Sequence, residues 1–276
     1  MKKILVPTDF SDQAENALKV AAKLAKKNKS EIFLLHMLEL PLELSDPAKK
    51  GGGLPESLYF MKLANKRFKE VLSKPYLKGL KVIETVQFQQ TFEGINQAAK
   101  KFKVDLIVMG SHGASGFKEV FIGSNTEKVV RTSKIPVLVI KSKHEKFQVK
   151  NFVFASDFTP EARVPFKEAV TFAKKTGAVM HLLFVNTPSN FYTTQNAQKL
   201  IADFLKTTKP RLAGITTNFY NDVSVESGIL NFALEVKADL IGMGTHGRKG
   251  LAHFFNGSIS EDLVNHAQLP VITFKI

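Results

Sequence analysis

Two stretches of the chain carry residues spaced for chemistry. Gly110, Gly113, Gly123 and Ser124 follow the pattern Gly-x2-Gly-x9-Gly-Ser, and Gly244, Gly247, Gly257 and Ser258 repeat it. In each copy the first glycine ends an apolar run that reads as a strand (DLIVMG, DLIGMG), and Gly-Ser opens a helical pattern. Glycine tolerates positive φ and lets a ligand approach main-chain amides closely. Free N–H groups at a helix start, backed by the positive end of the helix dipole, suit a phosphate. No Gly-Lys-Ser/Thr follows the glycines, so this is not a Walker loop, and the spacing is not the dinucleotide fingerprint either. A helix terminus contributes ~0.3–1 kcal/mol per anion, up to ~2 when partly buried. A micromolar nucleotide complex needs about 8 kcal/mol. Phosphate contacts alone fall short, and an adenosine pocket must supply the rest.

The same residues admit a purely structural reading. Ser124-x-x-Glu127 and Ser258-x-x-Glu261 spell capping boxes, in which the serine satisfies a helix amide. Such a cap is worth ~1 kcal/mol with no ligand at all. Two copies with matched glycine spacing favour the ligand reading, and the two roles are compatible. His112 and His246 share one position in the two loops and lack partners at metal-ligand spacing, so they read as loop-packing residues. His36 and His181 lie inside strand patterns and read as satisfied core histidines. No Ser-His-Asp arrangement and no general base for hydrolysis is evident.

The elements that must position these groups repeat as well. VPTDFSDQAENALKVAAKLAKK parallels FASDFTPEARVPFKEAVTFAKK, FEGINQAAKKFKVDLIVMGSHG parallels ESGILNFALEVKADLIGMGTHG, and IPVLVIK parallels LPVITFK. The polar stretch SKHEKFQVKN divides the halves, giving units 1–145 and 146–276. Within each half, near-continuous apolar runs alternate with helical patterns, as in a parallel sheet covered on both faces. The fold class is α/β: two tandem doubly wound parallel-sheet domains with right-handed crossovers. With strand order 3-2-1-4-5, the ligand crevice lies beyond the ends of the first and fourth strands. Asp9 or Asp157 ends the first and Gly110 or Gly244 the fourth. A carboxylate there can accept from ribose hydroxyls; the bland alternative is a turn residue before a helix. Ser11 and Thr159 stand at N-cap positions, with Pro160 in the first helical place. Residues 40–57, rich in Pro, Gly and Ser, read as a linker into the next helix.

Composition narrows the function classes. A chain of 276 residues with no cysteine has no disulfide framework, thiolate metal site or cysteine nucleophile. No apolar run approaches a membrane span, and the apolar start is too short for a signal peptide. The formal charge of +14 asks for an anionic partner, but the lysines are dispersed along helical patterns and read as solvated faces. Aromatic-basic interleaving is missing, which disfavours a nucleic-acid surface.

At these residues the chain closely resembles the universal stress protein (UspA) family in a tandem two-domain form. The resemblance rests on PTDFS, DLIVMGSHG and DLIGMGTHG, the doubled glycine spacing, and PVLVIK with PVITF. It implies a Rossmann-like fold of the adenine nucleotide alpha hydrolase-like kind and, with the glycine pattern intact, the ATP-binding branch. Carried across by position, it implies a first site from Pro7, Thr8, Asp9, Met37, Met109, Gly110, Gly113, Gly123, Ser124, Asn125 and Thr126. The second comprises Ala155, Ser156, Asp157, Val185, Met243, Gly244, Gly247, Gly257, Ser258, Ile259 and Ser260. Ala155 replaces the usual proline, Ser260 the threonine, and Asn125 a small apolar residue. The resemblance further implies a cytoplasmic stress-response protein that senses or stores ATP or AMP, with Mg2+ or Mn2+ carried by the nucleotide and at most slow hydrolysis. The alternative is a nucleotide-independent protein-interaction scaffold. The family's fifth-strand dimer would form internally, between PVLVIK and PVITFK, with a further homodimer compatible.

Overall fold

The computed structural model describes residues 1–38, 53–88, 91–111, 123–144, 147–210, 213–245 and 263–276, with backbone only for 53–57. The first half runs β1 (Lys3–Pro7), α1 (Asp12–Asn28), β2 (Glu31–Met37), α2 (Gly53–Leu72), β3 (Val82–Gln87), α3 (Thr91–Phe102), β4 (Leu106–Gly110), α4 (Ser124–Thr132) and β5 (Val137–Ile140). The second runs β6 (Asn151–Ala155), α5 (Arg163–Thr176), β7 (Val179–Asn186), α6 (Thr194–Thr208), β8 (Ile215–Asn221), α7 (Val225–Glu235), β9 (Leu240–Thr245) and β10 (Val271–Lys275). All the strands form one sheet in the order β3-β2-β1-β4-β5-β10-β9-β6-β7-β8. Each half therefore has the expected order 3-2-1-4-5, and every pairing is parallel except β5 with β10.

The continuous apolar runs are explained by burial on both sides. Ile4, Val6, Ile32, Leu34, Phe152 and Phe154 pack on the face covered by α1, α2, α5 and α6. Leu5, Leu35, Ile107, Val139, Val153 and Ile241 pack on the face covered by α3, α4 and α7. Successive strand residues alternate between these cores, so neither face can be polar.

The two halves meet at a short antiparallel seam. Val137, Leu138 and Val139 pair with Thr273, Ile272 and Val271. Leu138 and Ile272 hold the same place in PVLVIK and PVITFK. A pseudo-twofold axis therefore passes through that pair, and the internal pairing that the family resemblance implied is formed.

Three local expectations are revised. α2 begins at Gly53, so part of the segment read as linker is helix; residues 39–52 lie outside the described residues. α5 begins at Arg163 with Ala162 at the N-cap, not at Thr159 with Pro160 first. The Thr159 hydroxyl is taken by Asp157, to whose Oδ1 it donates over 3.1 Å, and Pro160 sits in a turn closed by Ala162 N–H to Thr159 C=O. Finally, the lysines are not merely solvated: Lys3, Lys23, Lys27, Lys141 and Lys275 each donate to a main-chain carbonyl.

Candidate functional site at the strand crossover

The site begins with the turn that leaves the first strand of each half. Thr8 Oγ1 accepts from Phe10 N–H at 3.0 Å, and Asp9 Oδ1 accepts from Ser11 N–H at 3.0 Å and Ser11 Oγ at 2.6 Å. In the second half Ser156 Oγ accepts from Phe158 N–H at 3.0 Å. Asp157 Oδ1 likewise accepts from Thr159 N–H at 3.2 Å as well as from its hydroxyl. Between these bonds lies a non-glycine residue in the left-handed region, Phe10 with φ 64° and Phe158 with φ 60°. That conformation costs roughly 1–2 kcal/mol for an L-residue, and strain of this kind collects where function fixes the backbone. The rings hold it in place. Phe10 packs on His36 and Phe68 with centroids 4.6 and 5.2 Å away, and Phe158 on Phe204 at 5.2 Å. Each aspartate thus closes the turn that follows its strand, through Oδ1.

Ser11 then caps α1, accepting from Ala14 N–H at 3.2 Å, as its position in the sequence predicts. Asp9 is exposed beyond the strand end, and Asp157 is half-buried.

Across the crossover, β4 stops at Gly110. A Cβ there would lie 2.9 Å from the carbonyl oxygen of Gln13 and 3.2 Å from its Cβ. Close packing of α1 against β4 is thus one reason this glycine is required, alongside any approach of a ligand. Ser111 follows, buried, and its carbonyl accepts from Gly123 N–H at 2.7 Å. The chain before and after residues 112–122 is therefore tied together at the mouth of α4.

That mouth differs from a capping box. Gly123 is the N-cap, with its carbonyl accepting from Glu127 N–H at 3.1 Å. Ser124 falls in the first turn and forms no cap, while Glu127 turns to Arg131 at 3.7 Å. The capping-box reading of Ser124 is corrected for this reason: the backbone places the cap one residue earlier. The amides of Ser124, Asn125 and Thr126 precede the first intrahelical bond, and Ser124 and Asn125 are exposed. Thr126 is buried, and its hydroxyl donates to Gly110 C=O at 2.9 Å. That side chain fastens α4 to the end of β4, leaving only its amide at the mouth.

The remaining positions line the strand ends. Ala155 pairs in register with Met243, and the β1–β4 register, carried forward from Leu5 and Ile107, sets Pro7 beside Met109. Met109, Met243, Val185 and Ala155 are buried, while Met37 is half-buried at the end of β2, packed on the α3/α4 side. Gly244 is less constrained than Gly110, since its Cβ would meet only the side-chain ends of Ile276 and Pro165 at 3.0–3.1 Å. Gly113, Gly247, Gly257, Ser258, Ile259, Ser260, His112 and His246 lie outside the described residues.

The strained phenylalanines have no sequence signal, because neither is the glycine or asparagine that normally marks positive φ. Nor did it point to a cavity of about 410 Å³ beside Asp9, lined also by Phe10, Ser11, His36, Leu63 and Arg67. His36 is satisfied, its Nδ1 lying 2.8 Å from Thr8 C=O, but it is half-buried and faces this cavity rather than the core. His181 is held by Thr216 Oγ1 and Asn151 Oδ1, and burial lowers its pKa. Among the described residues no group of three His, Asp or Glu is placed to hold a metal ion, and no helix is long and apolar enough to cross a membrane.

Comparison with known proteins agrees with this architecture. A universal stress protein from Archaeoglobus fulgidus superposes over 99% of the chain and 98% of its own, with TM-score 0.77 and 24% identity, a likeness of fold. Universal stress protein MJ0577 of Methanocaldococcus jannaschii is 35% identical over 156 residues, covering 52% of this chain and 96% of its own length. Universal stress protein Slr1230 of Synechocystis is 24% identical over the whole of both chains. The model of the universal stress protein family matches twice in succession, over residues 1–141 and 148–275. With the repeated fold and the repeated strand-end turns, this match places the chain in the universal stress protein family, as a tandem of two such domains.

Proposed function

We propose that the chain binds an adenine nucleotide, ATP or AMP, in each of two domains divided near residues 145 and 146. Its role is to sense or hold that ligand in a cytoplasmic stress response rather than to turn it over. One observation carries this reading: in the first half, the open first turn of α4 and the strand-end carboxylate of Asp9 flank the same crossover, between β1 and β4. Amides of Ser124, Asn125 and Thr126 would take phosphate oxygens, Asp9 the ribose hydroxyls with Met109 beside them, and Met37 the base. Half two offers Asp157, Val185 and Met243 in the matching places. Any Mg2+ or Mn2+ would arrive with the nucleotide. Titration calorimetry of nucleotide-free protein with ATP and AMP tests the reading; no heat at ligand concentrations up to about 1 mM, where a Kd of that size would correspond to about −4 kcal/mol, overturns it.

A second reading, a scaffold that binds protein without nucleotide, is favoured by exposed Leu58, Tyr59 and Leu63 on α2. Partner capture that survives Gly123→Val with Gly257→Val, alongside lost nucleotide binding, would support it.

A further inference from the structure

The seam between the halves carries an exchange of lysines. Lys275, the last residue of β10, donates through Nζ to the carbonyl of Arg131 at 3.1 Å. Arg131 belongs to α4 of the other half, and its carbonyl is among the last of that helix, which have no intrahelical partner. Lys141, directly after β5, donates to the carbonyl of Asn265, which lies in the helical residues 263–266 of the second half. The two bonds are copies of each other. Lys141 and Lys275 close PVLVIK and PVITFK, and Arg131 and Asn265 each stand seven residues after the serine of their own glycine pattern. The antiparallel pairing of Leu138 with Ile272 turns each lysine away from its own half and toward its neighbour's helix.

The helices so reached are the ones that follow the two glycine patterns. A cation at a helix C-terminus satisfies an orphan carbonyl and aligns with the dipole. The opposite end of α4, one helix length of roughly 13 Å away, is the mouth that holds Ser124 and Asn125. Thr126 fixes that same helix to Gly110. α4 is therefore held at its start by its own half, and at its finish both by Lys275 of the other half and by Asn96 of α3, which donates to Thr132 Oγ1 at 2.9 Å. Both lysines are half-buried, and burial lowers the pKa of each, that of Lys141 to about 8. They are not interchangeable with the exposed lysines of α1.

We propose that Lys275 and Lys141 are positioning residues acting across the seam: each half supplies the lysine that sets the site helix of the other. The effect on ligand rests on the nucleotide reading above; the crossed positioning itself does not. In the full chain, Lys275→Met should increase hydrogen exchange at the Ser133 amide, which closes the last turn of α4 onto Val129. The matching Ala267 amide, bonded to Leu263, should be unchanged. Lys141→Met should do the reverse, and Lys→Arg at either position should restore protection. Lys→Gln replaces Lys→Met should the latter not fold. With the second site closed by Gly257→Val, Lys275→Met should weaken ATP binding roughly two- to five-fold, the range expected for one helix-terminal cation. With the first site closed by Gly123→Val, the same substitution should leave affinity unchanged. Loosening within the lysine's own half, or equally in both, overturns the proposal. So does failure of arginine to restore protection. Crossed exchange in a wild-type chain that takes up no ATP would leave the positioning standing and defeat the nucleotide reading alone.

Discussion

Two serines illustrate how position outranks residue type. Ser11 donates to Asp9 and accepts from Ala14, so Ser11→Ala removes a working N-cap and should cost ~1 kcal/mol. Ser124 makes no cap, so Ser124→Ala should change stability by less than about 0.5 kcal/mol, as for an exposed site, while weakening ATP binding. Urea midpoints for the two variants distinguish these roles, and equal losses would restore the capping-box reading. The letters Ser-x-x-Glu could not reveal this, since the same string fits a helix begun at either residue. What decides is the carbonyl of Gly123 accepting from Glu127, a backbone fact without a sequence signature. Phe10 and Phe158 were illegible for the opposite reason: their type argues against positive φ, and only ring packing on His36, Phe68 and Phe204 makes the turn affordable.

Among the elements, the strands were easiest to read because both faces of the sheet are buried and the apolar runs are unbroken. Helix starts were harder: Ser11 and Thr159 both donate to the preceding aspartate, yet Ser11 caps α1 whereas α5 starts later, with Ala162 at its N-cap. The distance between elements was not legible at all. Gly110 and Gly244 look equivalent in sequence, yet α1 leaves no room for a side chain at Gly110, where the obstacle is the Gln13 main chain. At Gly244 the nearest neighbours are side-chain atoms, of Ile276 and of the Pro165 ring. Gly110→Ala should therefore destabilise by about 1–3 kcal/mol, and Gly244→Ala by clearly less. Denaturation of the two single variants checks the order; a larger loss at Gly244 would contradict the packing described for α1.

For the whole molecule, the repeats anticipated two similar sheets, and the family resemblance implied their join at the fifth strands, which β5 and β10 make. The groups trapped between the halves were not foreseeable, because they belong to elements far apart in the chain. A cavity of about 380 Å³ lies between Lys134, Ile135 and Pro136 of one half and Glu168, Thr171 and Phe172 of the other. The Oε2 of Glu168 is buried without a hydrogen-bond partner, and desolvation raises this carboxyl above the usual glutamate range. The folded chain thus binds the proton more tightly than the unfolded one. The contribution of Glu168 to stability is complete below the ordinary glutamate pKa and is lost as pH rises through the raised folded value. Glu168→Gln should accordingly raise the melting temperature at pH 7.5 and have little effect at pH 4. An equal gain at both pH values would mean that packing, not charge, is responsible.

The antiparallel join of β5 to β10 has a consequence for how the two lobes can differ. Were the partners separate identical chains, any replacement would be imposed on both binding regions at once. Tethered in a single polypeptide, each lobe keeps a private set of residues: Pro7 answers to Ala155, Met37 to Val185, and a side-chain obstacle at Gly244 to a main-chain one at Gly110. One lobe is thereby free to change its strand ends while its neighbour continues to supply the scaffold, so chemically unlike crossovers are open to this molecule in a way that they are not to a symmetric pair.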